Sequence, residues 1–378
     1  MRPIAAARIM ALAQAAARRD LTQMYSRMAG DVGRLALANA PSAVQPISPL
    51  NERPFLASAG KIVTGYFVGT DNRNPYASDG VTPLAPYPAI LNQAIYTATR
   101  LAVYAEFNWL KRHMPEDVFA WLAKPRLYVI PIREDEDPTK RLFLERTKDL
   151  RLFQPLPKPS YDPAHKWVDP NGYTLSDRIW KNGTQTRDKL DAMLSDMIRR
   201  RKSASDISKA AEAYLVPGRK GARTALPYGQ DASYHGMRLA RTEISRATNY
   251  ATYSGALSNP YARGIDWALS IAHPKADICD SLATIGMTGE RLREPYSMGS
   301  AVLPPAHPHC LCSAKVALID DLSGRSEMLR QAMEDAIRLN IDPILTPARP
   351  DDFVRMLLGD AFVKALGSAL TLPTSIRF

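Results

Sequence analysis

Apolar side chains recur at helical spacing from the first residues of the chain. Met10, Leu21, Met24, Met28, Val32 and Leu35 fall on one stripe, and Arg8, Arg19, Arg27 and Arg34 lie on roughly the opposite side. That pattern predicts one long amphipathic helix over 1–40, ended by Pro41. The alanine-rich start resembles a targeting segment, but Arg8 interrupts the apolar core that such a signal needs. Two readings fit the stripe: packing on the chain's own core, or docking on a partner subunit with the arginines left to solvent or nucleic acid.

Residues 41–88 lose the periodicity. Eight prolines and turn signals such as Asp71-Asn72-Arg73-Asn74-Pro75 predict a proline-rich arm with at most short strands. Helical spacing returns over 89–130 with Ile90, Leu91, Ala94, Ile95, Leu101, Tyr104 and Trp109. Pro115-Glu116-Asp117 starts a second short helix there, with proline in the first turn and acids facing the helix dipole. Leu127-Tyr128-Val129-Ile130 reads as a strand. Seven prolines and the acidic run Glu134-Asp135-Glu136-Asp137 make 131–171 a linker at a domain boundary.

The second half alternates helix and strand. Leu175–Leu215 is basic and helical, closed by Pro217-Gly218, and a further helix runs over Ser233–Leu257. Gly264–Leu269 and Ala314–Ile319 are predicted strands. Ser326–Leu339 and Phe353–Ala369 are predicted helices within the C-terminal stretch 321–378. The sum is a predominantly helical α+β protein: an arm and helical region first, then a domain over 172–320 with a small sheet and a cysteine–histidine loop.

Composition narrows the classes. Of 378 residues, 46% are apolar and 23% charged, which excludes a wholly disordered chain. No stretch approaches the roughly 18 uninterrupted apolar residues of a membrane helix, so no membrane partner is expected. Three cysteines are too few for a secreted disulfide scaffold and fit a reducing compartment.

Charge changes the picture more. The chain carries a net +11, and residues 178–246 alone hold 15 Lys and Arg against 7 Asp and Glu. The densest points are Arg199-Arg200-Arg201-Lys202, then Arg219, Lys220 and Arg223 in a glycine-flanked loop. Such clustering is the footprint of phosphate-backbone contact without sequence preference. A solvated helix end, where basic residues complement the dipole, produces the same pattern. Sparse aromatics argue against base stacking on single strands.

All three cysteines and two of six histidines lie within 279–312. The segments read Asp277-Ile278-Cys279-Asp280 and Pro304-Pro305-Ala306-His307-Pro308-His309-Cys310-Leu311-Cys312. Thiolate and imidazole are the ligands zinc prefers, and a closed structural site takes four. Cys279, Cys310, Cys312 and His307, with His309 as the alternative, would supply them. The competing readings are three buried thiols, one disulfide with a free cysteine, or a Cys–His nucleophile that lacks an evident orienting acid.

An ordered set of residues carries a family resemblance. Leu175-Ser176-Asp177-Arg178-Ile179-Trp180 is followed by Arg241-Thr242-Glu243, Asn249, Ala251, Trp267, Asp277 and Cys279, then Pro304-Pro305 and His307-Pro308-x-Cys310-x-Cys312. Over roughly 172–320 this resembles the phage Mu F-like head-morphogenesis family, the minor head proteins of tailed bacteriophages. The chain departs from it at Cys279-Asp280-Ser281-Leu282, where relatives often carry C-x-x-C, and at Leu311, where they carry arginine.

The resemblance implies a non-enzymatic minor capsid protein of the virion, acting in head assembly at the portal vertex after a period in the host cytoplasm. It implies the portal protein as partner, with major capsid or adaptor proteins and packaged double-stranded DNA as further contacts. Arg241 and Glu243 are expected to form a structural polar network that pins the cysteine loop. Two other classes remain as alternatives. An enzyme of the ADP-ribosyltransferase type would use an Arg…Glu pair. However, the stretch after Lys315 is shorter than the roughly 100 residues of an added catalytic domain, and no glycine-rich phosphate loop is present. A cellular DNA-binding protein would need helix-turn-helix or C₂H₂ spacing, and neither appears.

Overall fold

The computed structural model describes residues 6–69, 74–78, 82–124, 137–153, 174–216, 232–270, 277–284, 295–299, 301–307, 310–344, 346 and 349–366. The predicted strand at Leu127–Ile130 lies outside these residues, as do Arg219, Lys220, Arg223 and His309.

Helix α1 covers Ala6–Ala38. Its stripe of Met10, Leu21, Met24, Met28 and Val32 is buried, while Arg8, Arg19, Arg27 and Arg34 are exposed. Burying each such apolar side chain contributes about 1.5–3 kcal/mol, which is what makes a helix this long worth forming.

The proline-rich stretch 41–88 is not simply an irregular arm. It contains helix α2, Glu52–Phe67, preceded by a 3₁₀ turn at Pro49–Asn51. Pro54 is tolerated because it sits in the first turn, where backbone N–H groups have no intrahelical partner. Phe55, Ala59, Val63 and Phe67 recur at i, i+4, i+8 and i+12 and are all buried. The abundance of proline masks a regular apolar stripe.

Helix α3 runs over Pro86–His113 and α4 over Glu116–Ala123 with Pro115 at its N-cap. Helix α5, Pro138–Thr147, lies inside the stretch expected to be a linker. Asp137 caps it by accepting from Thr139 N at 2.8 Å, and Pro138 takes the first helical position.

The helical run predicted over Leu175–Leu215 is two helices, α6 at Leu175–Arg199 and α7 at Ala204–Leu215. Arg201 adopts φ 52°, which ends α6, and the Ser203 hydroxyl caps α7 at Asp206 N. Helix α8 spans Ala232–Ser258, and strand β1 follows at Ala262–Ala268. A short helix not expected from the sequence, α9, covers Ile278–Thr284. Strand β2 is Ser313–Leu318 and α10 is Leu322–Arg338. The last predicted helix is divided at Gly359, φ 83°, into α11 at Pro350–Leu358 and α12 at Asp360–Ala365. The chain is thus mostly helical, and its described residues contain one two-stranded antiparallel sheet.

Two compact units divide the chain. One comprises Met1–Ala11, Tyr96–Pro163 and Ile244–Gly359; the other comprises Leu12–Ile95, Ala164–Glu243 and Asp360–Phe378. In the first unit, Trp109, Leu122, Phe143, Phe153, Tyr261 and Leu329 belong to one apolar core. The turn into β1 is held by Arg151, whose Nη2 donates to the carbonyls of Asn259, at 2.9 Å, and Ala262. Strand β1 then pairs with β2 in the register Ile265↔Val316, Trp267↔Ala314 and Ala268↔Ser313. The other edge of β1 exchanges two 2.9 Å hydrogen bonds between Ile265 and Tyr296. Gly264 permits that approach: a Cβ there would stand 2.5 Å from the Tyr296 carbonyl oxygen.

In the second unit, α2 packs against α6. A Cβ on Gly183 would meet Phe67 at 2.7 Å, so glycine lets the two helices close. Phe67 in turn contacts the rings of Tyr25 and Tyr87, at centroid distances of 6.3 and 5.0 Å.

Candidate metal centre

Three segments of the first unit bring the cysteines together: the start of α9, the loop before β2, and β1 beneath them. Asp277 begins α9. Its Oδ1 accepts from the backbone N of Cys279 at 2.7 Å, while Asp280 Oδ2 accepts from Asp277 N at 2.7 Å. These reciprocal caps orient Cys279 in the first turn. In the second segment, Cys310 N donates to the His307 carbonyl at 3.1 Å, so the loop turns back and presents both side chains on one side.

Asn249 of α8 anchors the exit of that loop. Its Oδ1 accepts from Ala314 N at 2.7 Å, and its amide nitrogen lies 3.5 Å from the Cys312 carbonyl oxygen. Asn249 is fully buried, so both of these bonds form away from competing water.

The resulting geometry is compact. Cys279 Sγ lies 3.5 Å from Cys310 Sγ and 3.3 Å from His307 Nε2. The sulfurs of Cys279, Cys310 and Cys312 all lie within 4.8 Å of one another, and all three are free thiols. Trp267, Leu282 and Tyr296 pack around them, with Tyr296 Oη donating to the Leu282 carbonyl at 2.7 Å. Ligands held about 2.3 Å from a tetrahedral zinc stand roughly 3.8 Å apart. The observed spacings of 3.3 and 3.5 Å are close to that figure, and the buried group of Cys279, Cys310 and Cys312 could hold a metal ion.

Burial, then the neighbouring thiols, push the Cys279 thiol well above the usual range. Burial likewise raises Cys310. Without a cation such thiols stay protonated; a bound ion supplies the charge that lets them ionise.

Asp277 belongs to the motif set but not to the ligands expected from the sequence. The fold places its Oδ2 3.0 Å from His307 Nε2, and Asp277, Cys279 and His307 form a second cluster that shares Cys279 with the sulfur group. The signal available in the sequence is the D-x-C spacing, which reads equally well as a helix cap.

The other predicted residues lie in the second unit. Arg199, Arg200, Arg201 and Lys202 are all exposed at the junction of α6 and α7. Arg200 Nε pairs with Asp196 at 3.0 Å, and Arg199 stands 3.9 Å from Glu52. Both pairs are surface contacts of small energetic weight.

The expected Arg241–Glu243 network is corrected. Glu243 is buried and pairs with Arg178 of α6, Nη1 to Oε1, at 2.7 Å. Positions two apart on a helix do not face each other, so Arg241 and Glu243 are turned to different sides of α8. Glu243 and Arg178 belong to the second unit and the cysteine loop to the first. Among the described residues, no helix is long and apolar enough to cross a membrane. Comparison with known protein families, curated proteins and solved structures finds no match for the chain.

Proposed function

We propose that the chain is a non-enzymatic minor head protein of a tailed phage, acting at the portal vertex, with a structural zinc centre in its second half. The observation that carries this reading is the convergence of Cys279, His307, Cys310 and Cys312. Those residues come from two segments 28 positions or more apart, yet the three sulfurs stand within 4.8 Å of one another and His307 Nε2 lies 3.3 Å from the Cys279 sulfur. They also belong to the ordered set of residues that carries the resemblance to the head-morphogenesis family.

Other members of that ordered set have structural partners as well. Trp267 packs on the cysteine cluster, Asn249 holds the strand that leaves it, and Arg178 pairs with Glu243. A motif set whose members interact as core and anchors supports a structural role more than a catalytic one. The zinc would be held by three thiolates, with His307 Nε2 turning in as the fourth ligand.

Arg199, Arg200, Arg201 and Lys202 fit the second part of the role, contact with the packaged DNA through phosphates alone. The test is composition of the particle. Quantitative mass spectrometry of heads from the phage that encodes the chain should find it in low copy number. Its absence from DNA-filled heads would reject the assignment.

A further inference from the structure

The cysteine cluster has one feature its three sulfurs do not explain. Asp277 uses both carboxylate oxygens inside the site: Oδ1 accepts from the backbone of Cys279 at 2.7 Å, and Oδ2 lies 3.0 Å from His307 Nε2. One side chain is therefore tied to both ligand-bearing segments. The three sulfurs are buried behind Trp267, Leu282 and Tyr296. The side chains of Asp277 and His307 are about a third exposed, at 35% and 34%. Among the five side chains of the two groups, these two are the ones partly exposed.

We propose that Asp277 is the transfer residue of this centre: its carboxylate, beside His307, receives a divalent metal ion from solvent and passes it inward to the sulfurs of Cys279, Cys310 and Cys312, without remaining as a ligand. This rests on the metal reading of the site. A partly exposed carboxylate attracts a dication that buried sulfur and aromatic walls do not. Oxygen holds such an ion more loosely than thiolate does, so the inward step is downhill.

Once transferred, the ion would be held by Cys279, Cys310 and Cys312 as thiolates, each thiol releasing its proton to solvent as it exchanged that proton for the metal. His307 Nε2, 3.0 Å from the carboxylate in this structure, would have to turn from it to join the sulfurs as a ligand. Asp277 Oδ1 keeps its bond to Cys279 N throughout, so the cap of α9 is not disturbed.

The probe is Co²⁺, whose visible bands report tetrahedral sulfur coordination, added to the full chain and to Asp277→Asn. Asparagine keeps the Oδ1 acceptor for Cys279 N and removes the charge. Asp277→Ser, which also caps, serves if the asparagine variant does not fold.

The variant should bind the same single ion with the same spectrum. Its uptake, and its release to a chelator, should each be slower by about tenfold. Unchanged rates would overturn the proposal while leaving the metal centre standing. So would an altered spectrum, which would make Asp277 a resident ligand. A wild-type chain that takes up no Co²⁺ would overturn the metal centre and this proposal together.

Discussion

Arg178 Nη1 and Glu243 Oε1 meet at 2.7 Å, with the arginine side chain 15% exposed and the glutamate 1%. The pair joins the first turns of α6 to the middle of α8. A buried ion pair adds little net stability over apolar residues, but removing one partner strands the other charge. Glu243→Ala is expected to lower stability by about 3–5 kcal/mol. The double substitution Arg178→Met with Glu243→Leu should lose less than that, because neither charge is left alone. Chemical denaturation of the three proteins checks both statements.

Zinc content is the most direct measurement on the cysteine loop. The purified chain should carry about one zinc. Cys310→Ser should lose it, together with several kcal/mol of stability, since metal-binding free energy is folding free energy at such sites. Elemental analysis beside thiol titration is sufficient. Three titratable thiols and no metal in the wild-type chain would reduce the loop to apolar packing.

Glu106 of α3 should make stability fall as pH rises. Burial pushes its carboxyl up to about 7, against the opposing hydrogen bond donated by the Asn259 amide. Between pH 4.5 and 7 the unfolded chain has released this proton while the folded chain still holds it. The folded state therefore binds more protons, and its advantage shrinks across that window. Glu106→Gln keeps an acceptor for Asn259 and removes the titration. It should be more stable than wild type at pH 8, on the order of 1–2 kcal/mol, with the difference gone near pH 4. Thermal melts at the two pH values report it.

The arginine cluster after α6 makes a prediction about salt. If Arg199, Arg200 and Lys202 bind phosphates, DNA affinity should fall steeply with salt and vary little with sequence. Alanine at all three should weaken binding uniformly. It should also reduce the slope of log affinity against log salt by roughly 0.9 for each phosphate that is no longer neutralised. An unchanged slope would place the DNA-binding surface elsewhere or remove it.

Local sequence and tertiary structure contributed different things. Helix α1 was legible because a single face of it is apolar over many turns, and α8, α10 and both strands followed from similar periodicity. Helix α2 was not, because proline and turn residues on either side outweighed the Phe55–Ala59–Val63–Phe67 stripe. The break between α6 and α7 was not legible either, because a left-handed arginine carries no sequence mark of its own, whereas Gly359 does.

By itself, the sequence determined which side chains could bind a metal, where the positive charge is concentrated and which segments are helical. Those properties depend on residue type and on spacing within a few turns. Only the tertiary structure decided that Glu243 takes Arg178 as its partner and that Asp277 stands beside His307. Each of those pairs joins residues far apart in the chain. Which of several available charges ends up opposite a given carboxylate is set by how helices and loops pack, and that information is not local.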